Sequence, residues 1–148
     1  MTSMKRWAVV PVVCGLGLTV LAAPAFASYY NWGIVNAYEG STLVAQGKGT
    51  VGVDYGLDVI GGHATSSDPR PGGSPAYAKI HYNYTVPQFD GPHDARGVDN
   101  AKAVWVDRFV NGNLNTMYDA AELRGEACQN DKAGPDACRG SAWTNQKW

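Results

Sequence analysis

At 148 residues and a formal net charge of −1, the chain has room for one ordinary domain and not for a two-domain enzyme. Twelve basic side chains stand against thirteen acidic ones, which excludes a polycationic nucleic-acid binder and an acidic disordered tail. The composition, 45% hydrophobic and 17% charged, suits a chain with a single core.

Met1 to Ala27 reads as a secretory signal peptide. Lys5 and Arg6 give a positive start, Trp7 to Leu21 carry no charge, and Ala25-Phe26-Ala27 sets small residues at a cleavage site. A transmembrane anchor is the weaker reading, because Pro11, Gly15, Gly17 and Pro24 interrupt the apolar stretch and no basic stop follows it. Cys14 lies mid-segment, away from the position of a lipoprotein anchor. The expected product is a secreted, extracellular protein of one β domain, Ser28 to Trp148. It keeps two cysteines, Cys128 and Cys138, which in an oxidising compartment permit one pairing. Closing that short loop stabilises by about 2–3 kcal/mol in the chain-entropy model. A zinc thiolate pair is the rival, but no His or further Cys stands nearby in sequence.

Beyond Ala27 the periodicity is that of strands, with short Val, Ile, Thr, Tyr and Trp runs punctuated by Gly and Pro. Tyr30 to Tyr38 is the first, closed by a turn at Glu39-Gly40-Ser41. Leu43 to Tyr55 follows, with Leu57 to Ile60 as its continuation. Gly61 to Pro75 reads as an exposed flexible loop. Ala76 to Val86 alternates cleanly, with Tyr77, Lys79, His81, Asn83 and Thr85 opposite Ala78, Ile80, Tyr82, Tyr84 and Val86. Pro87 to Asn100 reads as a second loop. Lys102 to Val110 reads as the strongest strand, with Ala103, Trp105, Asp107 and Phe109 on one face. Asn111-Gly112-Asn113 then signals a turn, returning Leu114 to Ala120 beside that strand. Only Asp119 to Arg124 invites a helix, and Gly125 onward reads as a disulfide-stapled, loop-rich tail. The expected fold is all-β, a small antiparallel sandwich or barrel.

Catalytic chemistry finds no motif here. His63, His81 and His93 fall in separate segments without metal-ligand spacing. There is no Gly-x-Ser-x-Gly elbow and no phosphate loop. Asp90, Asp94, Asp99 and Asp107 could supply a carboxylate pair, but Asp90-Gly91-Pro92-His93-Asp94 reads equally as a solvated turn. Neither a cofactor nor a metal is expected. The aromatics are more telling. Tyr29, Tyr30 and Trp32 crowd the new N-terminus, while Trp143 and Trp148 occupy the other end. They pack either into the protein's own core or against a partner, for which Trp and Tyr are favoured anchors.

An exported precursor of this size, with that aromatic N-terminal segment, the Ala103-Val104-Trp105-Val106-Asp107 run and a late cysteine pair, resembles small secreted actinobacterial proteins. Among them it is similar in layout to the adaptor subunit of umbrella-shaped antibacterial toxin particles. The resemblance covers Ser28 to Trp148 and implies a non-enzymatic subunit joining other secreted proteins, with no residue role carried over. The expected function is therefore protein interaction through Tyr29, Tyr30, Trp32 and Ile34 on an exposed strand. A carbohydrate-binding module that stacks polysaccharide on its aromatics is the alternative, and a small secreted hydrolase comes third. Neither nucleic acid nor, after cleavage, a membrane is an expected partner, since both would need basic clusters.

Overall fold

The alternation predicted over Ala76–Val86 fixes the centre of the molecule. Every second side chain of that strand, Ala78, Ile80, Tyr82 and Tyr84, turns into the core. The structure, a computed structural model, describes residues 27–148. The expected signal peptide, Met1 to Ala27, with Cys14 inside it, thus lies outside the described residues but for Ala27.

Nine strands follow in order: β1 Ser28–Glu39, β2 Thr42–Asp54, β3 Val59–Ser67, β4 Ala76–Val86, β5 Asp90–Arg96, β6 Val106–Asn113, β7 Ala120–Gln129, β8 Ala137–Gly140 and β9 Thr144–Lys147. The described residues contain no helix. The front sheet has the order β1-β2-β3-β6, and the back sheet the order β5-β4-β7, with β8 and β9 both paired to β7. All pairings are antiparallel. The fold is thus an all-β sandwich.

The main core joins Val51 and Val53 of β2, Ile60 and Ala64 of β3, and Val110 of β6 to the inner residues of β4 and to Ala121 and Leu123 of β7. Burying each Val, Leu or Ile stabilises by about 1.5–3 kcal/mol. A smaller cluster of Val35, Ala37, Val44, Ala45, Ala76 and Ala127 extends it toward the β1–β2 turn. Trp32 packs against both clusters. Cys128 and Cys138 face each other in the β7–β8 register and are joined by a disulfide. Their sulfurs, bonded to one another, are not the thiolate pair that zinc would need.

Several boundaries differ from expectation, chiefly where glycine serves close approach instead of a turn. Gly61 and Gly62, expected in a flexible loop, lie buried in β3. A Cβ on the first would strike the carbonyl of Val110, and on the second that of Thr50. Only residues 68–75 remain as the loop. The strongest predicted strand begins late, at Val106, and runs through the predicted turn to Asn113. There Gly112 lies beneath the Tyr82 hydroxyl, which occupies the space of a side chain. The 114–119 segment does not return beside β6. It crosses to the back sheet, with Leu114 and Tyr118 buried and Tyr118 stacked on Tyr84 at 4.7 Å. Asp119 to Arg124 leads into β7 and is not helical. The expected second loop contains β5, and the expected loop-rich tail contains the end of β7 with β8 and β9.

Candidate functional site

The front sheet ends in β1, which is paired only through β2 and leaves its outer row of backbone groups without a strand partner among the described residues. From Ser28 to Tyr38 it carries no charge. Beside it lies a cleft of about 600 Å³, lined by Ile34, Val35, Asn36 and Tyr38 of β1 and by Cys138, Arg139 and Gly140 of β8. Two strand edges, one from each sheet, thus border one opening.

The four residues expected to bind separate here. Ile34 is 65% exposed, at the junction of the cleft with the outer face of the front sheet. Tyr30 is 48% exposed, and Tyr29 lies over Gly52 with its ring edge-on to Phe109 at 6.4 Å. Trp32 turns the other way. Its indole fills the space between β2 and β7, close against Gly47 and Gly125, where any side chain would collide with it. Its area stabilises this fold, so the surface left to a partner is Tyr29, Tyr30 and Ile34. Trp148 likewise packs on the core, edge-on to Tyr84 at 6.3 Å. The partly exposed Trp143 is covered by the Arg124 guanidinium at 4.4 Å.

The outer face of the front sheet also gathers residues that were not singled out as a site. Strand alternation sends Asp107 and Phe109 of β6 to the same side, and Trp105, immediately before the strand, meets Lys48 of β2 there. His63 and Thr65 of β3 stand opposite Phe109 and Asp107 in the register. The Asp107 carboxylate accepts a 2.6 Å hydrogen bond from the Thr65 hydroxyl and lies 2.8 Å from His63 Nδ1. The Thr65 bond, with that of His63, holds this carboxyl below the usual aspartate range despite partial desolvation. Next to it Asn31, Gly33, Ile34, Lys48, Gly49, Thr50 and Thr65 line a shallow dish of about 370 Å³. The Lys48 ammonium sits 4.4 Å over the Trp105 ring. The alternation of Trp105, Asp107 and Phe109 was the one sequence signal for this face.

The back sheet is finished differently. Lys79 bridges Asp94 at 3.0 Å and Glu126 at 3.2 Å, Arg124 bonds Glu126 through Nε at 2.8 Å, and His81 bonds Asp94 at 2.6 Å. Burial raises the Asp94 pKa, but hydrogen bonds from His81 and Lys79 outweigh it and leave the carboxyl below its ordinary value. The third histidine, His93, stacks on Tyr82 at 5.3 Å and lies 3.4 Å from Asp90. The three histidines stay in three separate places, each with its own aspartate. The only described cluster of metal-ligand type, Glu126 with Cys128 and Cys138, includes both disulfide sulfurs. Comparison with protein-family models, curated proteins and solved structures returns no match.

Proposed function

We propose that this is a secreted, non-enzymatic interaction module that receives an extended segment of another secreted protein along β1. The observation that supports it is the cleft between β1 and β8, where a long uncharged edge offers backbone donors and acceptors beside apolar side chains. Strand addition satisfies such an edge, and side-chain pockets beside it give specificity. An adaptor subunit of an extracellular antibacterial toxin complex is a role of this kind, in keeping with the resemblance in layout. The Cys128–Cys138 bridge suits an oxidising, extracellular setting.

Removing Ser28 to Trp32 is a poor test, because it also removes the Trp32 packing between the sheets. Tyr38→Lys and Ile34→Lys place charge on the edge at exposed positions, where folding tolerates it. Affinity capture from the producer's culture medium, with intact protein and each variant side by side, is the direct experiment. A stoichiometric protein partner, recovered with the intact protein and lost with both variants, is the expected result. Hydrogen exchange of that complex should then show protection confined to β1 and β8 amides. Equal recovery by both variants, or protection elsewhere, removes the β1 mechanism.

A further inference from the structure

We propose that the outer face of the front sheet, along β6 and the adjoining dish, is a second site, which takes a neutral, extended pyranose chain. Trp105, which immediately precedes β6, and Asp107 and Phe109 of the strand read in order as ring, hydrogen-bonding group, ring. Trp105 is 39% exposed, with the Lys48 ammonium over part of its ring, and Phe109 is 47% exposed, with Tyr29 and His63 at its edges, so each keeps ring surface open to a ligand. Four residues of chain separate the two, a backbone span of at most about 13 Å at about 3.3 Å of rise per residue, which is within the length of a short oligosaccharide.

A pyranose ring has an apolar C–H face and a rim of hydroxyls, and this row offers a counterpart to each. The aromatic rings supply flat apolar contact. Between them the polar groups are already held in place. Asp107 is fixed from two sides by Thr65 and His63, at 2.6 and 2.8 Å, and a carboxylate has lone pairs to spare for sugar hydroxyls. Asn31, Thr50 and Thr65 add amide and hydroxyl groups in the dish. A site whose polar groups need no rearrangement loses less on binding. Lys48, over Trp105, fixes the orientation of that ring.

The same features weigh against other occupants. A protein interface of ordinary kind has a continuous apolar centre ringed by polar groups, whereas here the charged groups Asp107 and Lys48 stand among the rings. The formal charges of Lys48 and Asp107 cancel, so the row offers no net attraction to an anionic chain. A chain that meets Trp105, Asp107 and Phe109 in turn has to be extended, as a β-1,4-linked chain is and a coiled α-linked one is not. The dish shares Ile34 of β1 with the cleft, whereas Trp105 and Phe109 do not line the cleft and Tyr38 does not line the dish, so variants at these positions tell the two sites apart.

The test uses secreted protein purified from the culture medium of an expressing host, with cellulose, chitin and amylose as solid probes. Cellohexaose and chitohexaose serve as soluble probes, followed by tryptophan fluorescence and calorimetry. The expected result is retention on cellulose or chitin, and saturable binding of the matching hexaose. Trp105→Ala and Phe109→Ala should each weaken that binding by about tenfold with the thermal unfolding midpoint unchanged. Tyr38→Lys, which touches only the cleft, should leave it unaltered. Failure of the intact protein to bind either β-linked polymer overturns the proposal, as does undiminished binding by both ring variants. Preference for amylose overturns the extended-chain geometry. Loss of the captured protein partner by Trp105→Ala, with no sugar bound by the intact protein, assigns this face to the protein interface instead.

Discussion

Trp32→Ala, alone and combined with Gly125→Ala, tests whether one indole holds the two sheets at their spacing. Trp32 lies against Gly47 of β2 and Gly125 of β7 and touches both core clusters. Truncating a fully buried Trp costs about 3–5 kcal/mol through lost transfer energy and the cavity left behind, and the partly buried Trp32 belongs at the lower end of that range. Its Nε1 is buried without a partner among the described residues, and removing that group returns about 1 kcal/mol. The expected loss is therefore about 2 kcal/mol, a sizeable share of the roughly 5–15 kcal/mol a domain possesses. Gly125→Ala alone should cost about 1–3 kcal/mol, because its methyl group would collide with the Trp32 ring. With Trp32 gone the methyl group enters vacated space and its cost should fall below about 0.5 kcal/mol, a coupling of about 1–2 kcal/mol. Urea unfolding of the four proteins, followed by far-ultraviolet circular dichroism, measures each value. If Gly125→Ala costs the same in both backgrounds, the indole does not occupy that space and the packing account fails.

Acid should destabilise the fold through Asp94 and Asp107. Both carboxyls titrate below their ordinary 3.8 when folded, so their contribution is full above that value and is lost as pH falls through 3.8 and beyond. Asp94→Asn should flatten the acid limb of the urea midpoint against pH, and an unchanged limb refutes this assignment. Reduction of Cys128–Cys138, or Cys138→Ser, should lower stability by about 2–3 kcal/mol while circular dichroism keeps its strand signature. Tyr84→Phe should cost about 1–2 kcal/mol in the same assay. The Tyr84 hydroxyl accepts from the Asn115 amide at 2.9 Å and donates to the Asn113 carbonyl at 3.2 Å, and both would lose their partner.

What the chain reveals by itself follows from which physical constraint is local. Alternation is local, and Ala76–Val86 was legible to the residue as β4. Tyr30–Tyr38 was legible as most of β1, and so was the pairing of the two late cysteines. Glycine is ambiguous, because a turn and a close backbone approach demand the same residue. Gly61, Gly62 and Gly112 therefore looked like loops, although Val110, Thr50 and Tyr82 press on them from strands distant in sequence. β5 was hidden because Gly91-Pro92 reads as a turn, yet Pro92 sits on an edge strand that tolerates a missing donor. The inward turn of Trp32 had no sequence signal either. Ile34, two residues on, pairs with Lys48 on the outer face, and the bulge between Asn31 and Gly33 shifts the two-residue period so that Trp32 faces the core instead.

The two outer faces of the sandwich show where binding chemistry can reside. On the back sheet Asp94, Lys79, Glu126 and Arg124 form a continuous chain of ion pairs, with Trp143 over Arg124 and beside His81 at 5.4 Å. Those groups already satisfy one another, so a ligand there would have to break pairs whose loss leaves Glu126, only 5% exposed, without a counter-charge. On the front sheet the fixed groups are few, and of the large side chains beside them Ile34 and Phe109 are well exposed and Trp105 is partly so beneath Lys48. Its β1 edge lacks a strand partner among the described residues as well. A ligand on that side adds contacts without cancelling existing ones, which is the energetic condition for a face to bind. Both proposed sites thus fall on the same sheet for the same reason. The back face is closed by its own charges, and the front face is left with rings, fixed hydrogen-bonding groups and an unpaired edge.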